Sequence, residues 1–234
     1  MLQELTSNPL FGLILSIGVF LSARRLALKL KSPLLNPLIL SILIVILILK
    51  VSGVNYDDYY RGGSILNMLI APATVALAIP LYKSVHLLKH HYRSILTGII
   101  VGTVFSTFLT ASLAVLFAYN KKLTASIMPK SVTTAIAIEI ADKMGGIVTV
   151  TIIVVIITGI IGAVLAPTIL KVARIDEPVA KGIAIGTSAH AIGTAKAMEI
   201  GEVEGAMSGL AIGVTGIVTV FVAPLVLQLF SSFF

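Results

Sequence analysis

Charged residues are scarce in this sequence, and cysteine is missing from it altogether. Only 12% of the 234 residues are charged, 57% are hydrophobic, and the mean hydropathy is +1.07. Soluble domains carry about 25% charged residues, so the composition excludes that class and indicates an integral membrane protein. The lack of cysteine excludes disulfides, thiolate metal sites and cysteine nucleophiles.

Motifs of nucleotide-binding and catalytic sites are also missing. The sequence has no phosphate-binding loop, zinc-binding helix or nucleophile elbow. His86, His90 and His91 lie in a basic connection without carboxylates, which does not suit a metal site. The net charge of +7 comes from short connections between apolar runs, where basic residues set membrane topology. We therefore expect no enzyme, no metal, no cofactor and no nucleic-acid partner.

Long apolar runs dominate what is present. A helix needs about 20 apolar residues to cross the hydrocarbon core. Six runs approach that length, at about 8–23, 34–54, 64–82, 94–118, 147–170 and 206–230. The sequence thus predicts an all-α, polytopic membrane protein with about six spanning helices.

A polar stretch between these runs, Pro129–Gly146, is similar in sequence to a later part of the chain. Residues 131–145 resemble 191–205 at an offset of 60, with Thr134 and Glu139 recurring as Thr194 and Glu199. The following apolar runs match at an offset of 57. The chain therefore contains two copies of one unit, at 126–170 and 180–230, each with proline or glycine interruptions at membrane depth.

The distribution of basic residues bears on how each polar stretch enters the membrane. If 126–143 enters and returns on one side, ten basic residues lie inside and five outside, as the positive-inside rule favours. Each copy then comprises one re-entrant or broken segment and one span, and the copies form an inverted repeat. We predict a scaffold at 1–125 and a transport core at 126–234.

The two broken segments offer chemistry for a small anion. Helix starts present free amide groups and a partial positive charge, and the neighbouring hydroxyls can bind a carboxylate with a 2-hydroxy or 2-oxo group. The candidate substrate-binding residues are Ser131, Thr133, Thr134, Thr187, Ser188, His190 and Thr194. The alternative is ordinary helix packing, in which small hydroxyl residues are common.

Three titratable residues have two interpretations each. His190 can bind a substrate or be a structural histidine bonded to the backbone. Glu139 and Asp142 are weaker candidates for ion or proton coupling, because carboxylates at membrane depth often carry protons or sodium. Glu139 can equally form a plain helix ion pair with Lys143.

Glycines spaced by four, at 201, 205, 209 and 213, run into the last span. This spacing is typical of close helix packing, either within the repeat or in a homodimer.

Two motifs carry a resemblance to a known family. Pro129-Lys-Ser-Val-Thr-Thr-x-Ile-Ala and Gly186-Thr-Ser-x-His-x-x-Gly-Thr-Ala resemble the LrgB/CidB family of bacterial membrane proteins. The similarity extends over essentially the whole chain. It implies a multi-pass protein of a bacterial or archaeal cytoplasmic membrane.

The resemblance implies two functions. The family was described as antiholin-like or holin-like modulators of murein hydrolase activity, often acting with a small LrgA/CidA-type partner. Its plant members are plastidial glycolate/glycerate transporters, and some bacterial pairs are linked to pyruvate uptake. We expect a carrier for glycolate, glycerate, pyruvate or similar monocarboxylates, coupled to an ion or proton, with the modulator as the alternative.

Overall fold

The computed structural model describes residues 6, 8–30, 37–69, 72, 75, 76, 78–83 and 85–234. By its internal contacts the chain divides into two compact units, Met1–Ala76 and Leu77–Phe234. The predicted division after residue 125 separates a scaffold from a transport core by function, and it stays a prediction.

The described residues of the first unit form helices α1 (Pro9–Leu30), α2 (Pro37–Ser52) and α3 (Tyr56–Met68). Helices α1 and α3 cross where Gly12 faces the Tyr59 carbonyl and Gly62 faces the Pro9 carbonyl, leaving no room for side chains. The Tyr59 hydroxyl and Ser16 Oγ, 2.8 Å apart, are hydrogen-bonded beside this crossing. Small residues thus allow the close approach on which helix packing in a membrane depends.

In the second unit the described residues form seven helices and a terminal turn. These are α4 (Ala78–Lys83), α5 (Val85–Leu116), α6 (Lys121–Ile127), α7 (Thr134–Lys143), α8 (Val148–Val172), α9 (Pro178–Ile200), α10 (Glu202–Leu229) and the 3₁₀ turn Ser231–Phe233. Over the described residues the predicted all-α class is confirmed.

Among the described residues, four helices are long and apolar enough to cross a membrane: Pro9–Lys29, Lys89–Leu116, Val148–Val172 and Glu202–Leu229. They coincide with four of the six predicted spans. The predicted span 34–54 is met by the 16-residue apolar helix α2, whose preceding residues lie outside the described part. The predicted span 64–82 also includes positions outside it.

Both polar stretches interrupt helical structure. Residues 128–133 separate α6 from α7, and Thr133 is the residue that precedes the first turn of α7. Within α9 the helix is kinked at Ala189 (φ −130°, ψ 15°) and His190 (φ 41°, ψ −142°). A positive φ in a residue with a Cβ is strained, so tertiary contacts must hold this kink in place.

Each interrupted segment is anchored to the long helix that follows it. Ser126 Oγ accepts a 2.7 Å hydrogen bond from the Ile147 amide, and the Thr151 hydroxyl donates to the Ser126 carbonyl at 2.9 Å. In α9, a Cβ on Gly182 would lie 2.5 Å from the Glu204 carbonyl oxygen. The start of each segment therefore lies beside the start of the next long helix.

Candidate functional site

A small cavity lined by hydroxyl side chains lies between the interrupted segments and two long helices. Its lining residues are Thr103, Ser106 and Thr107 of α5, Met128 and Ser131 of the first interruption, Thr187 of α9, and Thr215 and Thr219 of α10. Its volume is about 10 Å³, which is room for one water molecule.

The hydrogen bonds of these hydroxyls are unevenly satisfied. Thr103, Thr107 and Thr219 donate to carbonyls four residues earlier at 2.7, 2.8 and 2.7 Å, so they can only accept from the cavity. Thr187 Oγ1 and Thr215 Oγ1 are buried without a hydrogen-bond partner among the described residues. Buried polar groups normally have a hydrogen-bond partner. Two buried hydroxyls that lack one and face the same cavity therefore indicate a binding site for a polar molecule.

Lys130 lies at the edge of this cluster. Its Nζ donates to Ser106 Oγ at 3.2 Å and to Ser131 Oγ at 3.3 Å. Ser106 lies on α5 within the apolar span Lys89–Leu116, and the Lys130 side chain beside it is half-buried. Within the described residues no carboxylate lies within 4 Å of Nζ. The charge is therefore stabilised by neutral hydroxyls alone, and an ammonium in this position attracts an anion.

Two larger cavities reach the same cluster. One of about 360 Å³ is lined by Lys130 and Ser188, together with residues of α8 and α9. The other, of about 680 Å³, is lined by Ser106, Thr187 and Ser188 and extends along α5. Ser188 lines both of these cavities, and its hydroxyl donates a 2.7 Å hydrogen bond to the Ala184 carbonyl. The structure thus brings Ser131, Thr187 and Ser188 together around Lys130.

His190 packs against α8. Its side chain is buried, and Nε2 donates a 2.9 Å hydrogen bond to the Val155 carbonyl. The ring lies so close to Gly159 that a Cβ there would be 2.5 Å from His190 Cε1. A carbonyl only accepts, so this bond fixes the proton on Nε2. In this geometry His190 holds the kink of α9 against α8.

We expect the two simplest replacements of His190 to differ in stability. The free energy of unfolding should be about 1 kcal/mol higher for His190→Gly than for His190→Ala. Both variants lose the hydrogen bond from the imidazole, but glycine adopts a positive φ without the steric penalty of a Cβ. The measurement is the fraction that stays monodisperse on size exclusion after heating in detergent. An alanine variant as stable as the glycine variant would contradict backbone strain at this position.

The remaining predicted substrate residues lie apart from the cavity. Thr194 is buried, donates to the His190 carbonyl at 3.0 Å and lies 2.7 Å from Ser208 Oγ of α10. Thr133 precedes α7 without a side-chain capping hydrogen bond, and Thr134 is the first residue of that helix. Thr194 therefore joins α9 to α10 in this structure.

The predicted coupling residues are exposed. Glu139 lies with Lys143, Val220 and Pro224 on a separate groove of about 370 Å³, and Asp142 is exposed near the end of α7. Neither residue lines the hydroxyl cavity.

Sequence reasoning missed Lys130, Ser106 and the two threonines of α10 as site residues. A signal was available on α5, where Thr103, Ser106, Thr107 and Thr110 recur at helical spacing within an apolar run. Such a stripe puts hydroxyls on one face of a spanning helix. Lys130 was counted only as a topological charge, although it adjoins the predicted Ser131.

This arrangement defines a class: a polytopic, all-helical membrane protein with a polar site where two interrupted helices meet long ones. The chain belongs to the LrgB-like family, whose model matches residues 16–229. The resemblance carried by the two motifs is thereby confirmed. No solved structure matches the chain significantly.

Curated bacterial relatives match over nearly their whole length. Antiholin-like protein LrgB of Bacillus subtilis (strain 168) is 39% identical over 228 residues, covering 97% of this chain and 99% of the relative. The protein of the same name from Bacillus cereus (strain B4264) is 37% identical over 221 residues, covering 94% and 96%. These names fit a modulator of lysis better than a carrier.

Proposed function

We propose that this chain carries small monocarboxylates across a bacterial or archaeal cytoplasmic membrane by alternating access. The observation that supports the proposal most is Lys130, a half-buried cation whose hydrogen-bond partners among the described residues are hydroxyls. An ammonium without a counterion at this depth is costly unless an anion compensates it. A modulator that works only by assembly has no need of such a group.

The groups around Lys130 indicate the class of anion. Ser106, Ser131 and Thr187 have hydroxyl protons that no described backbone carbonyl accepts. A carboxylate accepts from the ammonium and from hydroxyls, while a 2-hydroxy or 2-oxo group bonds a further hydroxyl. Glycolate, glycerate and pyruvate have this pattern and are small enough for the adjoining cavities. We infer a site for one such molecule.

The contacts of the two segments support an inverted repeat. Ser126 bonds Ile147 in the first copy, and Gly182 lies against Glu204 in the second. The polar stretches correspond at an offset of 60, which takes Ser126 and Ile147 to positions 186 and 207, and Gly186 likewise lies against Ser208 near the start of α10. Opposed copies around a polar site are the architecture that secondary transporters use for alternating access. We propose that 126–234 is the transport core, with Glu139 and Asp142 as candidates for coupling.

The second candidate function rests on the names of the relatives. An antiholin-like modulator would act on murein hydrolase activity as a membrane assembly, with a small LrgA/CidA-type partner or as a homodimer. The two functions are compatible if carriage of a metabolite changes autolysis indirectly. They differ in which residues matter, because a modulator depends on assembly surfaces and a carrier on the hydroxyl cluster.

The test is uptake of labelled pyruvate, glycolate and glycerate into liposomes, with and without an imposed pH gradient. The chain should be reconstituted alone and with the small partner. We expect saturable uptake that falls at least tenfold in Ser131→Ala and Thr187→Val, while Thr168→Val, exposed on α8, leaves it unchanged. Folded protein that shows no uptake even with the partner would favour the modulator.

A further inference from the structure

The 680 Å³ cavity is a groove that follows one face of α5. From α5 it is lined by His91, Ser94, Ile95, Gly98, Gly102 and Ser106. These positions repeat every three or four residues, as one face of a helix does. Fifteen residues separate the first from the last, a rise of about 22 Å along the helix axis. The groove therefore runs from one end of α5 to its middle.

The two glycines in this face do not serve helix packing. A Cβ on Gly98 would meet only Ile183 Cγ2, at 4.0 Å, and one on Gly102 would meet Thr187 Cγ2 at 3.4 Å. Both are ordinary contact distances. Gly182 differs, because its Cβ would lie 2.5 Å from a backbone oxygen. A Cβ would therefore fit at Gly98 and Gly102 in ordinary contact with α9, whereas Gly182 lies at a close crossing that leaves no room for one.

The inner end of the groove is the hydroxyl cluster. Ser106 and Thr187 line both the groove and the small cavity, and Ser106 Oγ accepts from Lys130. Thr187 is 92% buried, and its Oγ1 is one of the two hydroxyls without a partner. A molecule that follows the groove inward therefore arrives at the ammonium.

The outer end lies among basic residues. His91 lines it, and the neighbouring Lys89 and Arg93 are exposed on the same helix. Glu177 also lines this end, where its carboxylate caps α9 by accepting from the Ala180 amide. A predominantly cationic entrance raises the local concentration of small anions. By the positive-inside rule this end faces the cytoplasm.

We propose that this groove is the route by which the monocarboxylate moves between the cytoplasm and the Lys130 site, and that Gly98 and Gly102 set its width. The inference rests on the proposed carrier function. It assigns a role to a pair of glycines whose spacing by itself suggests only helix packing.

The route can be tested by thiol labelling, because the sequence has no native cysteine that would also react with the reagent. Gly98→Cys should react with a charged, membrane-impermeant methanethiosulfonate reagent in inside-out vesicles. Val101→Cys is the matched control, because Val101 lies on the same helix with 59% of its surface exposed on the outside of the bundle. We expect at least tenfold faster labelling at position 98, slowed by added pyruvate.

A size series tests the second half of the proposal. Gly98→Ala and Gly98→Leu should both fold, because a Cβ here meets only Ile183 at an ordinary contact distance. Uptake should fall as the side chain grows, by at least tenfold for leucine and by less for alanine. Saturable wild-type uptake with no labelling at position 98 and no effect of leucine would overturn the route and leave the carrier standing. A groove filled by lipid gives that result. Absence of wild-type uptake with the partner present would overturn the carrier and the route together.

Discussion

Replacing Lys130 by methionine is expected to reduce monocarboxylate uptake by about ten- to hundredfold. The ammonium would make a charge-assisted hydrogen bond to the substrate carboxylate, and such bonds contribute about 1.5–3 kcal/mol. Methionine has a similar length but no charge and no donor. The measurement is the initial rate of labelled pyruvate uptake into liposomes at several substrate concentrations. The loss should persist at saturating substrate if Lys130 also acts during the conformational change.

The same substitution should leave the fold intact. In the part of the chain that the structure describes, Lys130 bonds hydroxyls and no carboxylate, so removing its charge also removes the cost of keeping an ammonium away from water. We therefore expect Lys130→Met to resist heating in detergent at least as well as the wild type. Lys122→Met, at an exposed position on α6, is the control and should change neither uptake nor stability. Unaltered uptake in Lys130→Met would refute the anion site.

Gly186→Ala is expected to destabilise the second unit by about 1–3 kcal/mol, the usual cost of overpacking. A Cβ at this position would collide with the Ser208 carbonyl oxygen and lie 2.8 Å from the Ala211 Cβ. Helices α9 and α10 would have to separate, and Thr187 and Ser188 would move with α9. The measurements are the monodisperse fraction after heating in detergent and the rate of uptake, both of which should fall.

Gly213→Ala is the matched control for this change. Gly213 belongs to the predicted series of glycines on α10, but nothing lies within 4 Å of the Cβ that it would acquire. Alanine also favours the helix relative to glycine. Stability should therefore stay the same or rise slightly. If Gly186→Ala were as stable as Gly213→Ala, the close crossing of α9 and α10 would be wrong.

The glycine pattern shows where sequence reasoning reached its limit. The spacing at 201, 205, 209 and 213 predicts a packing face, and Gly205 does lie close to Met198. Gly213, with the same spacing, faces open space. The close crossing instead uses Gly182 and Gly186 of α9. Spacing places residues on one face of a helix, but it does not say whether a neighbouring helix covers that face.

The site shows the same limit. Ser131, Thr187 and Ser188 were predicted from two motifs, and the structure brings them together. Thr194, predicted by the same reasoning, bonds Ser208 between two helices. Lys130 and Ser106 were missed because their significance depends on a contact between residues 24 apart in sequence. A lone lysine or serine in an apolar chain carries no such information.

The sequence by itself determined the membrane class, the helical content, the positions of four long helices and the two interruptions. These follow from hydrophobicity, helix length and the local effects of proline, glycine and hydroxyl residues, all of which act along the chain. Only the tertiary structure decided which hydroxyls share a cavity, that Lys130 meets hydroxyls and no carboxylate of the described residues, and which glycines face another helix. Those facts arise from contacts between distant segments, and the physical cost of an unpaired charge or hydroxyl exists only once its surroundings are in place.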